Sequence, residues 1–272
     1  MERPIRVIVF GGGPVLERGV KQFICRLEDH PEIEFLGCIC QSKGHTYRDM
    51  VRDLWRRRGL LAIPLLLSQA ATNASRFLTQ PRRELNLKRK LAKVSSRIHY
   101  VADIHADPVL EQVRLLAPDL GLIYGSPILK PKLFEIPACG TLGIHHGKAP
   151  EYRGKKTMFW AMYNGEEAAG VTIQKVNAGL DTGEIVKQTG VPIGHRTPGA
   201  VWSELNELGL NLYIQAILEV KQGTAQFRPQ TGIKGKLYRD PSPGDVVELW
   251  RRIVMRMAKD WLRISARAGK ET

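Results

Sequence analysis

Between Asp119 and Val186 the chain concentrates the residue types that can do chemistry. Three segments carry them. They are Tyr124-Gly125-Ser126-Pro127-Ile128-Leu129; Gly140 to Gly154, reading Gly-Thr-Leu-Gly-Ile-His-His-Gly-Lys-Ala-Pro-Glu-Tyr-Arg-Gly; and Gly170-Val171-Thr172-Ile173, followed by Gly179-Leu180-Asp181-Thr182-Gly183. His145 leaves an apolar run, and Asp181 sits in a glycine-bounded loop. An imidazole near a carboxylate suits acid–base work: protonated, it meets a developing oxyanion, while the carboxylate handles a displaced proton. Taken one at a time, each residue has an ordinary reading. A histidine beside a glycine turn is commonly structural, and Asp-Thr-Gly is a frequent turn.

Together, a His-x-Gly-x-x-Pro-x-Tyr-Arg-Gly block followed by Gly-Val-Thr and Gly-Leu-Asp-Thr-Gly is far more specific. In these motifs the chain resembles the folate-dependent formyltransferases, which include glycinamide ribonucleotide, methionyl-tRNA and sugar-nucleotide N-formyltransferases. The likeness is strong over residues 98–190 and loose over the first forty. It implies transfer of a formyl group from 10-formyltetrahydrofolate to an amine, with no metal. His145 would polarise the formyl oxygen, and Asp181 would orient His145 and accept the proton shed by the amine. The folate would lie along Tyr124, Gly125 and Ile128 and against Asn177, Leu180 and Thr182. Gly147, Tyr152, Arg153 and Lys155 would face the acceptor, where a guanidinium suits phosphate or carboxylate.

One position departs from the family pattern. Asparagine normally stands two residues before the histidine as a second oxyanion donor, and here that residue is Gly143. Loss of one such donor costs ~2.7 to 4 kcal/mol of transition-state stabilisation. Backbone N–H groups near Gly143 and Gly147 are candidate substitutes, with Asn177 another. His146, in an extended segment, would point away from His145. The departure also keeps open a degenerate binding protein without turnover, and hydrolysis of formyl-folate by water.

The elements that must position these residues read as alternating strands and helices. Ile5 to Phe10 is an apolar run closed by Gly11, Gly12 and Gly13, and Val15 to Leu27 has helical spacing. Ile33 to Cys40 and Leu120 to Tyr124 are further apolar runs, the latter preceded by a helical stretch from Pro108 to Leu116. The pattern predicts an α/β, Rossmann-like, mostly parallel sheet flanked by helices. Because the first glycine turn lacks Gly-x-Gly-x-x-Gly, a dinucleotide cofactor is not expected. A catalytic domain over 1–195, interrupted at about 48–97 by a basic helical insertion, would be followed by helices and a linker over 196–272. Helices are expected over Pro198 to Val220 and from Gly244 or Asp245 onward, with Asp245 as the cap. In the last helix Val246, Trp250, Ile253, Met257, Trp261 and Ile264 form an apolar stripe, with Arg252, Arg256, Lys259, Arg263 and Arg267 elsewhere.

Composition excludes disorder and disulfide frameworks: 43% of residues are hydrophobic and 25% charged. The cysteines Cys25, Cys38, Cys40 and Cys139 lack zinc or redox spacing and are expected to be reduced core residues. The N-terminal apolar run is too short for a signal peptide, so cytoplasmic residence is the expectation. The net charge of +14 is unevenly placed. Residues 51–97 carry twelve Lys/Arg against two acids, and residues 250–272 seven against two. A near-neutral body with two basic attachments suits a phosphate-bearing amine acceptor, such as a nucleotide- or lipid-linked amino sugar. An anionic membrane surface could receive the basic segments and the apolar run Leu60 to Leu67, making the protein membrane-peripheral; the expected arrangement is packing against the sheet or a second subunit of a homodimer, because apolar stripes of helices are usually core. Nucleic acid is the weaker partner, because the tRNA-specific relatives carry an extra barrel domain where only a linker and helix follow Val220 here.

Overall fold

The computed structural model describes residues 3–13, 15–42, 46–59, 62–231 and 235–268. Its strands, in chain order, are β1 (Ile5–Gly12), β2 (Ile33–Gln41), β3 (Ile98–Val101), β4 (Leu120–Ile123), β5 (Thr141–His145), β6 (Tyr152–Gly154), β7 (Ala168–Lys175), β8 (Ile185–Pro192) and β9 (Lys236–Tyr238). Seven form one sheet in the order β3-β2-β1-β4-β5-β7-β8, and β6 pairs with β9 in a second. The pairs β1 with β2, β1 with β4, β2 with β3 and β4 with β5 are parallel, whereas β7 and β8 run antiparallel. The expected fold class, α/β and mostly parallel with flanking helices, is therefore the observed one.

Two compact units divide the chain. One comprises the described residues up to Gly143 with Val220–Gly223; the other comprises Ile144–Glu219 with the described residues from Thr224 on. The boundary falls inside β5. In the first unit, buried Ile5, Val7, Val9, Leu120 and Leu122 build the sheet's core. Helix α1 (Arg18–Asp29) covers it with Phe23, Ile24 and Leu27, all fully buried. This helix starts three residues later than the apolar spacing suggests, because Val15 to Glu17 are still in the turn leaving β1.

The insertion is three helices: α2 (Tyr47–Arg58), α3 (Ala62–Thr79) and α4 (Pro81–Val94). Pro64 is the third residue of α3. It falls in the first turn, where the N–H groups have no intrahelical partner and a proline costs little. Leu60 and Leu61, at the start of the expected apolar run, lie outside the described residues. Ion pairs from Arg18 to Glu84 and from Lys90 to Asp29 tie α4 to α1. Helix α5 (Asp107–Leu116) precedes β4, and the short α6 (Pro131–Phe134) precedes β5.

In the second unit, α7 (Thr157–Asn164), α8 (Pro198–Gln222, whose last residues belong to the first unit) and α9 (Pro243–Ala268) accompany β6 to β9. Its core joins Met162, Val171, Val191, Val201, Leu205 and Leu249. The cap of α9 differs from expectation. Ser242 is the N-cap, its hydroxyl accepting the Asp245 N–H at 3.2 Å while Asp245 Oδ2 accepts the Ser242 N–H at 2.8 Å. Asp245 is thus the third-position partner of a capping box. The stripe also splits: Leu249 and Ile253 are buried, whereas Val246, Val247, Trp250 and Val254 are exposed. Arg252, expected away from the stripe, places its guanidinium 4.4 Å over the Tyr163 ring. Side chains of Met257, Lys259 and residues 260–268, including Trp261 and Ile264, lie outside the described ones.

None of the four cysteines is in a disulfide; three are buried and Cys139 is half-buried. No described helix is long and apolar enough to cross a membrane.

Ser242→Ala removes the hydroxyl acceptor from the start of α9. It should lower stability by about 1 kcal/mol, read as an earlier midpoint in denaturant unfolding followed by far-ultraviolet circular dichroism; an unchanged midpoint would contradict the capping assignment.

Candidate active site

His145 is the last residue of β5, so the strand ends by presenting its imidazole at the carboxyl edge of the sheet, where open α/β folds place their ligands. The ring is 8% exposed. Its Nε2 lies 2.7 Å from the carbonyl oxygen of Tyr152. A carbonyl can only accept, so Nε2 carries a hydrogen and donates it. Nδ1 then faces Asp181 Oδ1 at 3.6 Å, close enough for an ion pair but longer than a hydrogen bond. Of the two nitrogens, Nε2 is committed to the backbone and Nδ1 is the one available to a substrate.

Asp181 adopts a left-handed backbone, φ 51°, between the glycines of its loop. Asn177 shapes that loop, its Oδ1 accepting the Gly179 N–H at 3.0 Å and the Thr182 hydroxyl at 2.9 Å. The Asp181 carboxylate accepts the Gly154 N–H at 2.8 Å on Oδ2 and the Gln174 side-chain amide at 3.2 Å on Oδ1. Gln174 is in turn held by Gln230, whose amide bridges Gln174 Oε1 at 3.0 Å and the Gly183 carbonyl at 2.7 Å.

Strand β6 therefore grips both candidate side chains. Tyr152 fixes His145 through its carbonyl, and Gly154 fixes Asp181 through its amide. Gly154 must be glycine here: its φ is 92°, and a Cβ would sit 2.3 Å from the Tyr238 carbonyl. The strand is held by its pairing with β9 and by the Tyr152 ring, stacked on Tyr238 at 5.0 Å. The Tyr152 hydroxyl donates to Glu166 and accepts from Asn164, and burial pushes its pKa up, so it stays a neutral phenol. Gly147 is a packing requirement, since a Cβ there would meet His145 Nε2 at 2.4 Å.

The sequence-predicted residues fall into distinct places. His145, Asp181, Gly147 and the backbone of Tyr152 come together. The Tyr124 ring is buried against Phe23 at 5.8 Å, and burial raises its pKa. Gly125, with φ 63°, and Ile128, 72% exposed, form an open turn after β4. Leu180 is 44% exposed on the Asp181 loop. Arg153 is half-buried, and its Nε has no hydrogen-bond partner among the described residues. Lys155 is exposed and reaches Asp240 at 3.2 Å. Gly143 is buried in β5, opposite Ile123 of β4. His146 turns away from His145 and packs against the Trp202 ring at 4.6 Å. Among the described residues no cluster of three His, Cys, Asp or Glu could hold a metal.

Sequence reasoning missed Gln174, Gln230 and the two backbone groups of β6. Gln174 carried one signal, a polar residue at the end of the apolar run of β7, and it is 7% exposed. Gln230 and β9 carried none, lying in a stretch that reads as linker.

Residues 80–217, half of the chain, match the family model for formyl transferases. The chain belongs to the formyl transferase family. A methionyl-tRNA formyltransferase of Synechocystis sp. is 28% identical over 224 residues, covering 82% of this chain and 59% of that protein. The chain spans less than two thirds of the length of such curated relatives. Among solved structures, a sugar N-formyltransferase from Shewanella sp. has a TM-score of 0.58 at 13% identity, covering 90% of this chain and 86% of that one. HypX from Aquifex aeolicus, solved in complex with tetrahydrofolic acid, has a TM-score of 0.56 at 14% identity, covering 90% and 33%. At these identities the formyltransferase fold is what is shared.

Two outcomes follow from the geometry. Gly147→Ala should push the imidazole off the Tyr152 carbonyl and destabilise the protein by about 1 to 3 kcal/mol; unchanged His145 ring signals in nuclear magnetic resonance would contradict this. Burial, reinforced by neighbouring His145, lowers the His146 pKa from 6.5 to about 3. Between those values the unfolded chain takes up a proton that the folded chain refuses, so stability is lost as pH falls through that window. His146→Phe should flatten this part of the pH–stability curve, and a slope identical to that of the parent would show that His146 does not cause it.

Proposed function

We propose that this chain transfers a formyl group from 10-formyltetrahydrofolate to an amine on a small, phosphate-bearing acceptor such as a nucleotide- or lipid-linked amino sugar. The observation that carries the reading is His145 Nδ1 facing Asp181 Oδ1 at 3.6 Å, with both side chains anchored by backbone groups of β6. Attack of an amine on a formyl carbon places negative charge on the formyl oxygen, and the Nδ1–H of a protonated His145 supplies a hydrogen bond to it. The amine sheds a proton as its bond to carbon forms. Asp181 accepts that proton, directly or through one water; as the tetrahedral adduct collapses, the bond between the formyl carbon and N10 of the folate breaks and a proton passes to that nitrogen, releasing tetrahydrofolate.

The residues present fit a folate co-substrate. The Asn177 to Thr182 loop carries Asp181 and leaves Leu180 exposed, giving apolar surface for a flat ring beside the reacting pair. The co-substrate brings an activated one-carbon unit; the chain's own groups orient it, meet its oxygen and take the amine's proton. Gly143 leaves no side-chain donor two residues before His145, so the second oxyanion contact falls to backbone N–H groups. The unpartnered Nε of Arg153 supports an anionic acceptor, because a guanidinium donor in a half-buried position is satisfied by phosphate or carboxylate oxygen. The names of the curated relatives favour a second reading, initiator tRNA as acceptor, which the strong positive charge also suits.

The test is release of tetrahydrofolate from 10-formyltetrahydrofolate with amino-sugar nucleotides, lipid-linked amino sugars and charged initiator tRNA supplied in turn. Release with a phosphate-bearing amine, lost by about a hundredfold or more in both His145→Ala and Asp181→Asn, is the expected result. Release only with tRNA selects the second reading. Equal release without any amine indicates hydrolysis, folate binding without release indicates a degenerate site, and full activity in both variants would overturn the assignment of the pair.

A further inference from the structure

Helix α3 presents an apolar face that no other described element covers. Ile63, Leu67, Ala70, Ala74 and Leu78 recur at steps of four, three, four and four, and all are exposed, Leu67 at 65% and Leu78 at 79%. Residues at this spacing lie on one stripe of a helix. The helix holds a single charged residue, Arg76. The helices on either side in the chain are strongly basic. On α2, Arg48, Arg52 and Arg56 follow one another at steps of four and line a surface groove with Val51 and the half-exposed Trp55. On α4, Arg82, Arg83, Lys88 and Arg89 are exposed, while Leu87, Leu91 and Val94 turn inward. An apolar stripe this long is costly to leave in water and marks a docking surface.

We propose that the α2–α4 insertion binds the surface of an anionic phospholipid bilayer, with α3 lying in the interface plane and the arginines and lysines of α2 and α4 meeting lipid phosphates. Charge and apolarity together select this occupant. Two copies of the chain meeting through the stripe would press two strongly basic surfaces against each other, which is repulsive. A nucleic-acid backbone would pair with the cations yet offer nothing to Ile63, Leu67 or Leu78. A bilayer interface satisfies both, taking apolar side chains at the acyl boundary and cations at the headgroups. The helix is 18 residues long, roughly 27 Å, and is not apolar enough to cross a membrane. The inference does not depend on formyl transfer, and binding is its readout.

The experiment is co-sedimentation of the full chain with vesicles of phosphatidylcholine alone and of phosphatidylcholine mixed equally with phosphatidylglycerol. Binding is expected to the anionic vesicles only, weakening as salt is raised. Leu67→Ser with Leu78→Ser, and separately Arg52→Glu with Arg56→Glu, should each weaken it by about tenfold or more. All four residues are exposed, so both double variants should keep the parent circular dichroism. Three results would each overturn the proposal: no binding to anionic vesicles at low salt, undiminished binding by the leucine double variant, or a solution dimer that the leucine double variant converts to monomer.

Discussion

Strand β6 is three residues long, and the candidate site hangs on two of its backbone groups. The Tyr152 carbonyl takes the Nε2 hydrogen of His145, and the Gly154 amide gives its hydrogen to Asp181. Because the spacing between those two groups is set by covalent backbone geometry, the imidazole and the carboxylate are placed relative to each other by one rigid segment. Side-chain rotamers have little left to decide. That is the kind of preorganisation electrostatic catalysis needs, since a donor already aimed at the developing charge does not have to reorganise when the charge appears.

A strand of three residues cannot hold its own position, and the protein supports this one from several directions. Pairing with β9 supplies ladder contacts, the Tyr152 ring stacks on Tyr238, and Asn164 donates to both tyrosine hydroxyls. Gly235, just before β9, approaches so closely that a Cβ would lie 1.4 Å from the Pro150 carbonyl oxygen. On the other side, Thr172 and Gln188 bind the Gly147 and Ala149 carbonyls at 2.7 Å, so the turn between His145 and Tyr152 is pinned as well. The carboxylate has its own chain of support through Gln174 and Gln230. Such supporting shells position the reacting groups without touching substrate.

The two histidines show how one residue type serves opposite ends. Adjacent in sequence, they leave the strand on opposite sides. His145 is placed between a carbonyl and a carboxylate, whereas His146 is half-buried against Trp202 and held neutral by desolvation. Glycine at position 143 removes the side chain that would otherwise share the strand face with His145. The charge distribution follows a separate logic. The basic residues of the insertion are carried on helices outside the sheet, of which α4 is joined to α1 by ion pairs.

The alternation of apolar runs, helical spacing and glycine turns was enough to determine the α/β class and the parallel strands, because periodicity is a local property of the chain; His145 and Asp181 were named as candidates by the combined motif block and the family resemblance it carries. Several features were not local. The antiparallel course of β7 and β8, the strand character of residues 236–238 and the splitting of the α9 stripe depend on what each segment packs against. So do the parts played by Tyr152, Gly154, Gln174 and Gln230. A backbone carbonyl and an amide have no residue type to recognise, and a glutamine becomes informative only when folding buries it beside a carboxylate. Sequence alone thus named a candidate imidazole and carboxylate; tertiary structure decided which atom of the imidazole is tethered, which is left open, and what holds both in place, since those are questions of distance between segments that the chain brings together only on folding.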